Sequence, residues 1–322
     1  MGRPLRIEYP GALYHVMSRG NERGKIFYDT ADRLKFLSLL KDYHERYGIL
    51  IHSFVLMNNH YHLIIETPKA NLLKVMHGIN GVYTVYYNRR HARIGHLFQG
   101  RYKAIVVDKD AYLMELSRYV HLNPVRAGIT EKPEKYTWSS YPTYIGEKTG
   151  YEWIECAWIL KQFGNNTTAA RKKYRRYVEE AIVRGVENPM KAIFGQIVLG
   201  GEQFIEQIKN MVKGKHLSGE IVERTRMLKQ VLPGEIIRMV AERYGVNENS
   251  ICARDLRGNL PRRAAMYLVY KYTHLSNREA GKIFGGIHYS ALRKAFVRFE
   301  EELATNKSLS GTITALESHV KT

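Results

Sequence analysis

Residues 49–66 read ILIHSFVLMNNHYHLIIE, and this stretch decides the fold of the first third of the chain. The segment from Ile49 to Met57 is apolar and rich in β-branched residues, which is typical of a buried strand. Asn58 and Asn59 then signal a turn or a bulge. The residues from His60 to Glu66 predict a second strand directly after it.

Strands and helices alternate on both sides of this stretch. Asp29 or Thr30 can cap a helix whose apolar residues recur at helical spacing, and Gly48 ends it. The other predicted elements are strands at 14–18 and 102–107 and helices at 70–91 and 108–123, the last one stopped by Pro124. The order β-α-β-β-α-β predicts an α+β domain of ferredoxin-like type over residues 1–130.

The rest of the chain is predicted to be helical. Residues 131–234 form a connecting region with aromatic loops and a basic helix around 171–176, and the Leu-Pro-Gly sequence at 232–234 indicates a hinge. Residues 235–304 predict a helical bundle. Residues 305–322 are polar, and we expect them to be a flexible tail.

The composition points to a polyanionic partner. The 322 residues include 50 Lys+Arg and 31 Asp+Glu, so the formal net charge is +19, with +9 in residues 1–130 and +5 in each of 131–234 and 235–322. Nucleic acid is the commonest such partner inside cells. The alternative is a basic protein without any nucleic-acid role.

Several classes of protein are excluded by the same composition. No apolar run approaches the ~20 residues that a membrane span needs, and we expect no signal peptide. Cys156 and Cys252 lie far apart and form no CxxC pair, which excludes a disulfide scaffold and a thiolate zinc site. We therefore expect a cytoplasmic, nucleoid-associated protein that makes no membrane contact.

The two histidines of the second strand are the first candidates for chemistry. Side chains alternate along a strand, so His60 and His62 lie on one face while Tyr61 lies on the other. Two imidazoles on one face can share a metal ion. The alternative is a structural pair with no metal.

Tyr119 and Asn123 form a second candidate group. They are four residues apart and share a helix face. A Tyr hydroxyl is a poor nucleophile unless a metal or a base assists it, and Asn123 can supply an oxygen ligand. The alternative is that Asn123 merely ends a helix. Tyr112 lacks such a partner because Leu116 cannot bind metal, and we expect His121 at the surface or facing DNA.

Four motifs in order resemble the HUH single-tyrosine transposases, and most closely the REP-associated tyrosine transposases. They are residues 14–21 (YHVMSRGN), 57–63 (MNNHYHL), 97–103 (LFQGRYK) and 118–127 (RYVHLNPVRA). Most members of that family have Pro at the position of Asn58, and this departure leaves both histidines in place.

The resemblance implies an activity and a set of roles. His60 and His62 would bind Mg²⁺ or Mn²⁺ with Asn123 as third ligand, and Tyr119 would cut single-stranded DNA at palindromic hairpins. The product would be a 5′-phosphotyrosine bond and a free 3′-OH, ready for rejoining. The alternatives are a non-catalytic protein that binds or regulates repeat DNA, and a replication or conjugation nickase.

Basic residues near the motifs are expected to contact the DNA backbone, as suits a single-stranded partner when aromatic residues lie nearby. They are Arg19, Arg23, Arg89, Arg90, Arg101, Lys103 and Arg126. The alternative for the stretches around residues 90 and 102 is a solvated helix end.

Residues 249–303 resemble the helix-turn-helix DNA-binding domain of the replication initiator DnaA. Residues 277–286 have the layout of a helix and a glycine-containing turn, and 287–299 is the predicted recognition helix. The expected DNA contacts are Arg257, Arg262, His288, Tyr289, Ser290, Arg293 and Lys294. The initiator's Asp-His-Thr-Thr is replaced by HYSA at 288–291, so its target sequence is not carried over.

This resemblance implies duplex DNA as a second partner, bound by a monomer or a homodimer. The alternative for this part of the chain is a helical bundle that contacts proteins.

Overall fold

The computed structural model describes residues 6–185, 188–213, 231–253, 259–273, 275 and 277–321. These residues form two compact units, and the division falls between Phe204 and Ile205. The predicted hinge at 232–234 is not where the units part. Pro233 instead begins a helix, and the backbone N–H of Leu232 donates to Glu235 at 2.7 Å.

The N-terminal unit is built on one five-stranded sheet with the order β2-β3-β1-β4-β5. The first four strands pair antiparallel, and β5 pairs parallel to β4. The strands are β1 (Ala12–Arg19), β2 (Leu50–Met57), β3 (His60–Thr67), β4 (Lys103–Val107) and β5 (Val198–Leu199). The first four confirm the ferredoxin-like arrangement, and the fifth is an addition to it.

Two long helices, α1 (Thr30–Tyr47) and α2 (Leu72–Arg90), cover one face of the sheet. The Asp29 carboxylate caps α1, and Gly48 ends it in the left-handed conformation. The hydroxyl of Tyr61, on β3, reaches this layer and donates to Asn80 at 2.7 Å. The side chains of β3 that alternate with Tyr61 therefore face the other side of the sheet.

The opposite face carries α3 (Lys109–His121) and the short helix α4 (Asn123–Arg126). The predicted single helix is thus two segments. Leu122 lies between them, and its N–H still bonds to the Arg118 carbonyl. As a result Asn123 stays one turn beyond Tyr119.

Residues 131–204 belong to the N-terminal unit and do not form a separate connecting region. Three hydroxyls of this segment hold the sheet: Tyr136 donates to the Leu56 carbonyl and Tyr144 to the His52 carbonyl, both at 2.7 Å, and Ser140 accepts from Phe54 N–H at 2.9 Å. The helices here are α5 (Tyr141–Tyr144), α6 (Ala157–Lys161) and α7 (Thr167–Arg184).

The C-terminal unit is helical. Its helices are α8 (Glu202–Lys213), which starts before the division, α9 (Pro233–Tyr244), α10 (Glu248–Cys252), α11 (Leu260–Tyr272), α12 (Asn277–Ile283), α13 (Tyr289–Thr305) and α14 (Lys307–Lys321). The predicted turn lies between α12 and α13, where Gly285 and Gly286 both have positive φ. A Cβ on Gly281 would come within 2.4 Å of the Ile287 carbonyl oxygen, so glycine permits this close approach.

The flexible tail predicted for 305–322 is wrong. Lys307–Lys321 of this segment form α14, and four of its apolar side chains are buried in the core of the C-terminal unit. These are Leu309, Ile313, Leu316 and Val320. Their spacing of four, three and four residues is that of one helix face.

Within the described ranges, no helix is both long enough and apolar enough to cross a membrane.

Candidate active site

His60 and His62 lie on the α3 side of the sheet, at the end of β3 nearest the turn. They pair with Met57 and Val55 of β2 on one side and with Arg19 and Met17 of β1 on the other. The two imidazole ring centres are 5.2 Å apart, and the ring planes are nearly perpendicular. The structure thus brings the two predicted metal ligands together.

Tyr119 comes from α3 and lies against the same pair. Its ring centre is 6.3 Å from that of His62, and only 8% of the residue is exposed. The side-chain nitrogen of Asn123 donates to the Tyr119 carbonyl at 3.0 Å, so its Oδ1 is the atom left for other contacts. The four residues selected from the sequence therefore meet on one face of the sheet.

Burial keeps the two histidines neutral. It is the main cause that lowers the pKa of His60 to about 4, with Arg19 adding to the effect. Burial also holds the pKa of His62 well below its ordinary value, assisted by the nearby His15, His60 and Arg126. Neutral imidazole is the form that binds a metal ion.

These side chains fit a divalent ion for which the protein supplies only part of the ligand set. In the described ranges, no three His, Cys, Asp or Glu side chains converge as a complete metal-binding set. Two neutral imidazoles and an amide oxygen leave further positions open, and Mg²⁺ usually keeps several waters and binds substrate phosphates. The donor set therefore suits an ion shared with a phosphate.

His15 is a third histidine at this site, and the sequence interpretation gave it no role. It is fully buried on β1, and its Nε2 lies 2.9 Å from Nδ1 of His62. Its ring centre is 6.3 Å from that of Tyr119. The sequence did carry a signal for it. His15 lies two residues before Met17 on β1, so their side chains share a face, and Met17 pairs with His62.

Three of the predicted DNA-binding residues lie near the histidine pair. Arg19 pairs with His60 across β1 and β3, and Lys103 pairs with Met17 on the same face. The Arg126 guanidinium lies over the Tyr119 ring, 4.5 Å from its centre. All three are exposed, so they can meet a phosphate backbone next to the histidines.

The other predicted N-terminal contacts are dispersed. Arg89 and Arg90 end α2, on the opposite face, and Arg90 pairs with Asp29 at 2.6 Å and with Asp32 at 2.7 Å. Those two carboxylates make Arg90 a link between α1 and α2 and a poor phosphate ligand. Arg23 is exposed in the loop after β1, where its carbonyl accepts from Asn59.

Arg101 lines a cavity of about 420 Å³ together with Arg6, His77 and His96. This basic cavity lies beside α2, on the side of the sheet away from His62.

His121 is not a surface residue, contrary to the sequence interpretation. It is fully buried, with Nδ1 2.8 Å from the Tyr174 hydroxyl and Nε2 2.8 Å from Ser140 Oγ. It joins α3 to the segment after residue 131 and cannot face DNA.

Only some of the DNA contacts predicted for the C-terminal unit can be located in the structure. His288, Arg293 and Lys294 are exposed around the start of α13. Tyr289 and Ser290 lie in the first turn of α13, and their side chains, like all of Arg257, are outside the described residues.

Arg262 was predicted to contact DNA, and the structure contradicts this prediction. It is 5% exposed, and its guanidinium donates to the carbonyls of Ile251 and Phe284. This side chain holds the C-terminal unit together and is not accessible to DNA.

Residues 9–123 match the family described as "Transposase IS200 like". This segment is an IS200-like transposase domain. It runs from the residues before β1 to Asn123 and contains both histidines and Tyr119. Residues 233–298 match a second family, described as "Bacterial dnaA protein helix-turn-helix", so the chain joins a transposase domain to a DnaA-type DNA-binding domain.

The transposase domain has a likeness among solved structures. "Structure of the REP associates tyrosine transposase bound to a REP hairpin" matches with a TM-score of 0.40 and 14% identity, covering 45% of this chain and 86% of the other.

The curated relatives are chromosomal replication initiator proteins DnaA. That of Treponema pallidum is 26% identical over 178 residues, 52% of this chain and 37% of its own length. That of Herpetosiphon aurantiacus is 29% identical over 98 residues, and that of Thermus thermophilus is 31% identical over 86 residues. The matched regions are 21% and 20% of those two proteins and 30% and 26% of this chain. The chain thus spans at most 37% of the length of these relatives.

Proposed function

We propose that this protein is a metal-dependent tyrosine transposase that cuts and rejoins single-stranded DNA at palindromic hairpins. The observation that carries the proposal is the position of Tyr119. Its ring lies 6.3 Å from that of His62, on the face where His60 and His62 are neutral and adjacent. A nucleophile beside a half-complete metal site is the arrangement that phosphodiester cleavage needs.

In the proposed reaction, the Tyr119 oxygen attacks the phosphorus of a DNA phosphodiester. A Tyr–O–P bond forms and the P–O3′ bond breaks, so the product is a 5′-phosphotyrosine and a free 3′-OH. The phenol loses one proton and the departing 3′ oxygen gains one. A 3′-OH from another strand reverses these steps, so rejoining needs no external energy.

His60, His62 and the Asn123 oxygen would hold Mg²⁺ or Mn²⁺. When bound, such an ion polarises the phosphoryl oxygen and neutralises the charge that develops there. Arg126 adds a fixed positive charge beside the Tyr119 ring. The burial of the Tyr119 ring limits its rotation, so the hydroxyl meets the phosphate from one direction.

The C-terminal unit would bind duplex DNA. Support comes from the DnaA-type match at 233–298 and from the exposed Arg293 and Lys294 at the start of the helix after the turn. We propose that it holds the protein next to its cleavage site.

The test is covalent trapping. The full chain is incubated with Mn²⁺ and a hairpin oligonucleotide copied from the DNA beside its own gene, and the protein–DNA adduct is measured on a denaturing gel. We expect an adduct that chelation and Tyr119→Phe abolish. Tyr112→Phe is the matched control on the same helix, and it should leave the adduct intact.

An adduct that survives Tyr119→Phe would mean that another residue is the nucleophile. If no palindromic single strand gave an adduct while hairpins still bound, the protein would be a non-catalytic binder of repeat DNA.

A further inference from the structure

Three side chains form a hydrogen-bonded series that ends at the predicted metal site. The sulfur of Met190 lies 3.2 Å from Nδ1 of His15, and Nε2 of His15 lies 2.9 Å from Nδ1 of His62. The two imidazole planes are within 19° of each other, with centres 5.1 Å apart. With so short an N···N contact, this separation means that the rings meet edge to edge, with the two nitrogens pointing at each other.

The thioether decides the direction of this series. A Met sulfur has no proton and can only accept, so Nδ1 of His15 must carry the proton that faces it. Neutral His15 then has a bare Nε2, which accepts from Nδ1–H of His62. The reverse arrangement would set two lone pairs against each other at His15 and Met190, and would place the proton of His62 on its Nε2.

His60 reaches the same state by a different route. Its Nδ1 lies 2.7 Å from Oδ1 of Asn59, and the Asn59 amide nitrogen donates to the Arg23 carbonyl at 3.1 Å. That second bond fixes which end of the Asn59 amide faces His60, so Nδ1 of His60 donates. The hydrogen bonds thus assign both histidines the Nδ1–H tautomer, which leaves Nε2 of each with a lone pair.

We propose that His15 and Met190 are positioning residues that hold His62 in the Nδ1–H tautomer, so that Nε2 of His62 can bind the metal ion. The proposal rests on the proposed function for its metal. Groups behind a ligating histidine commonly fix its tautomer and orientation, and their loss typically costs about 10–100-fold in metal affinity.

Met190 lies beyond the matched transposase segment, 175 residues from His15 along the chain. It is held in a 3₁₀ turn at Pro189–Ala192, where Asn188 Oδ1 accepts from the Met190 N–H at 3.1 Å. The segment after residue 131 therefore contributes to the site and does more than cover the sheet.

Variants of the full chain separate positioning from packing. His15→Gln keeps a hydrogen-bond acceptor at the same number of bonds from Cβ as Nε2 of histidine. His15→Asn has a shorter side chain, and its polar atoms are only as far from Cβ as Nδ1 of histidine. Met190→Leu removes the acceptor at nearly constant volume, which usually costs less than ~1.5 kcal/mol. Met76→Leu is the matched control, since Met76 is buried in α2 on the opposite face.

Two measurements without DNA test the proposal. The ¹⁵N spectrum of the imidazoles reports the tautomer of His62, identified by the loss of its signals in His62→Gln. Titration with Mn²⁺, followed by electron paramagnetic resonance, reports affinity. We expect Nδ1–H in the wild type, about 10-fold weaker Mn²⁺ binding in His15→Asn, a smaller loss in Met190→Leu, and near wild-type binding in His15→Gln and Met76→Leu.

An Nε2–H tautomer of His62 in the wild type would overturn the proposal, and so would unchanged Mn²⁺ affinity in both His15→Asn and Met190→Leu. A wild type that binds no Mn²⁺ but has the Nδ1–H tautomer would contradict the metal role in the proposed function while supporting the order of the hydrogen bonds. The two failures are therefore distinguishable.

Discussion

The guanidinium of Arg126 lies over the ring of Tyr119, with its central carbon 4.5 Å from the ring centre. Arg126 ends α4, seven residues after Tyr119 along the chain. A cation at this position stabilises negative charge that develops on a phosphate bound next to the ring.

We expect Arg126→Gln to slow formation of the covalent adduct about threefold, because a cation over a ring at an exposed site contributes ~0.5–1 kcal/mol. Single-turnover kinetics at saturating hairpin measures this. Arg118→Gln is the control, because Arg118 lies in the same way over Tyr177, away from the site. Equal slowing in both variants would show that weaker packing, not charge beside Tyr119, is responsible.

Stability in acid should depend on Glu66. Burial raises the pKa of this carboxyl, but hydrogen bonds from His52 and Lys109 outweigh burial and leave the pKa below its ordinary value. Because the pKa of Glu66 is lower in the folded protein than in the unfolded chain, its stabilisation is complete at pH values above the unfolded-state pKa. The stabilisation is lost as the pH falls through the folded-state pKa.

We therefore expect Glu66→Gln to be less stable than the wild type at pH 7, and to lose less additional stability between about pH 5 and 3. Chemical unfolding at several pH values measures both. Glu45→Gln is the control, because its ion pair with Lys41 is exposed and should contribute little. Parallel pH profiles for Glu66→Gln and the wild type would contradict the expectation.

Duplex binding should depend on the two exposed cations of α13. We expect Arg293→Gln combined with Lys294→Gln to weaken duplex affinity and to lower the salt slope by about 0.9 for each phosphate that the variant no longer neutralises. Fluorescence anisotropy at several salt concentrations measures this. Arg298→Gln, also exposed on α13, is the comparison, and an effect as large from it would point to general charge instead of a defined surface.

Arg262 should act on stability and not on recognition. Replacing it with Leu leaves the Ile251 and Phe284 carbonyls without their donor, and we expect a loss on the order of 2 kcal/mol from the C-terminal unit. Thermal unfolding of the full chain, followed by amide exchange in α11, measures this. If stability were unchanged and only duplex affinity fell, Arg262 would be a DNA contact after all.

The first four strands and the first three helices could be predicted because each carries its own signal. Asp29 and Gly48 mark both ends of α1, and alternation along β3 puts His60 and His62 on one face. The meeting of this pair with Tyr119 was predicted from ordered motifs, and the structure brings the three together.

What could not be predicted depends on contacts between distant residues or on a competing rule. The link from Met190 to His15 spans 175 residues and involves a residue type with many possible roles. Cations ordinarily lie outside, and Arg262 breaks that rule because two backbone carbonyls face it. In α14 the spacing of Leu309, Ile313, Leu316 and Val320 was legible, but the polar residues between them outweighed it.

The packing of residues 131–204 onto the sheet limits how such a protein can exchange parts during evolution. A recombination breakpoint near residue 130 would separate the histidines from Met190 and remove the hydroxyls that bind β2. A breakpoint between Phe204 and Ile205 would leave the transposase domain with all of these groups. We therefore expect fusions that replace the C-terminal unit to keep the proposed cleavage activity when joined near residue 204, and to lose it when joined where the family resemblance ends.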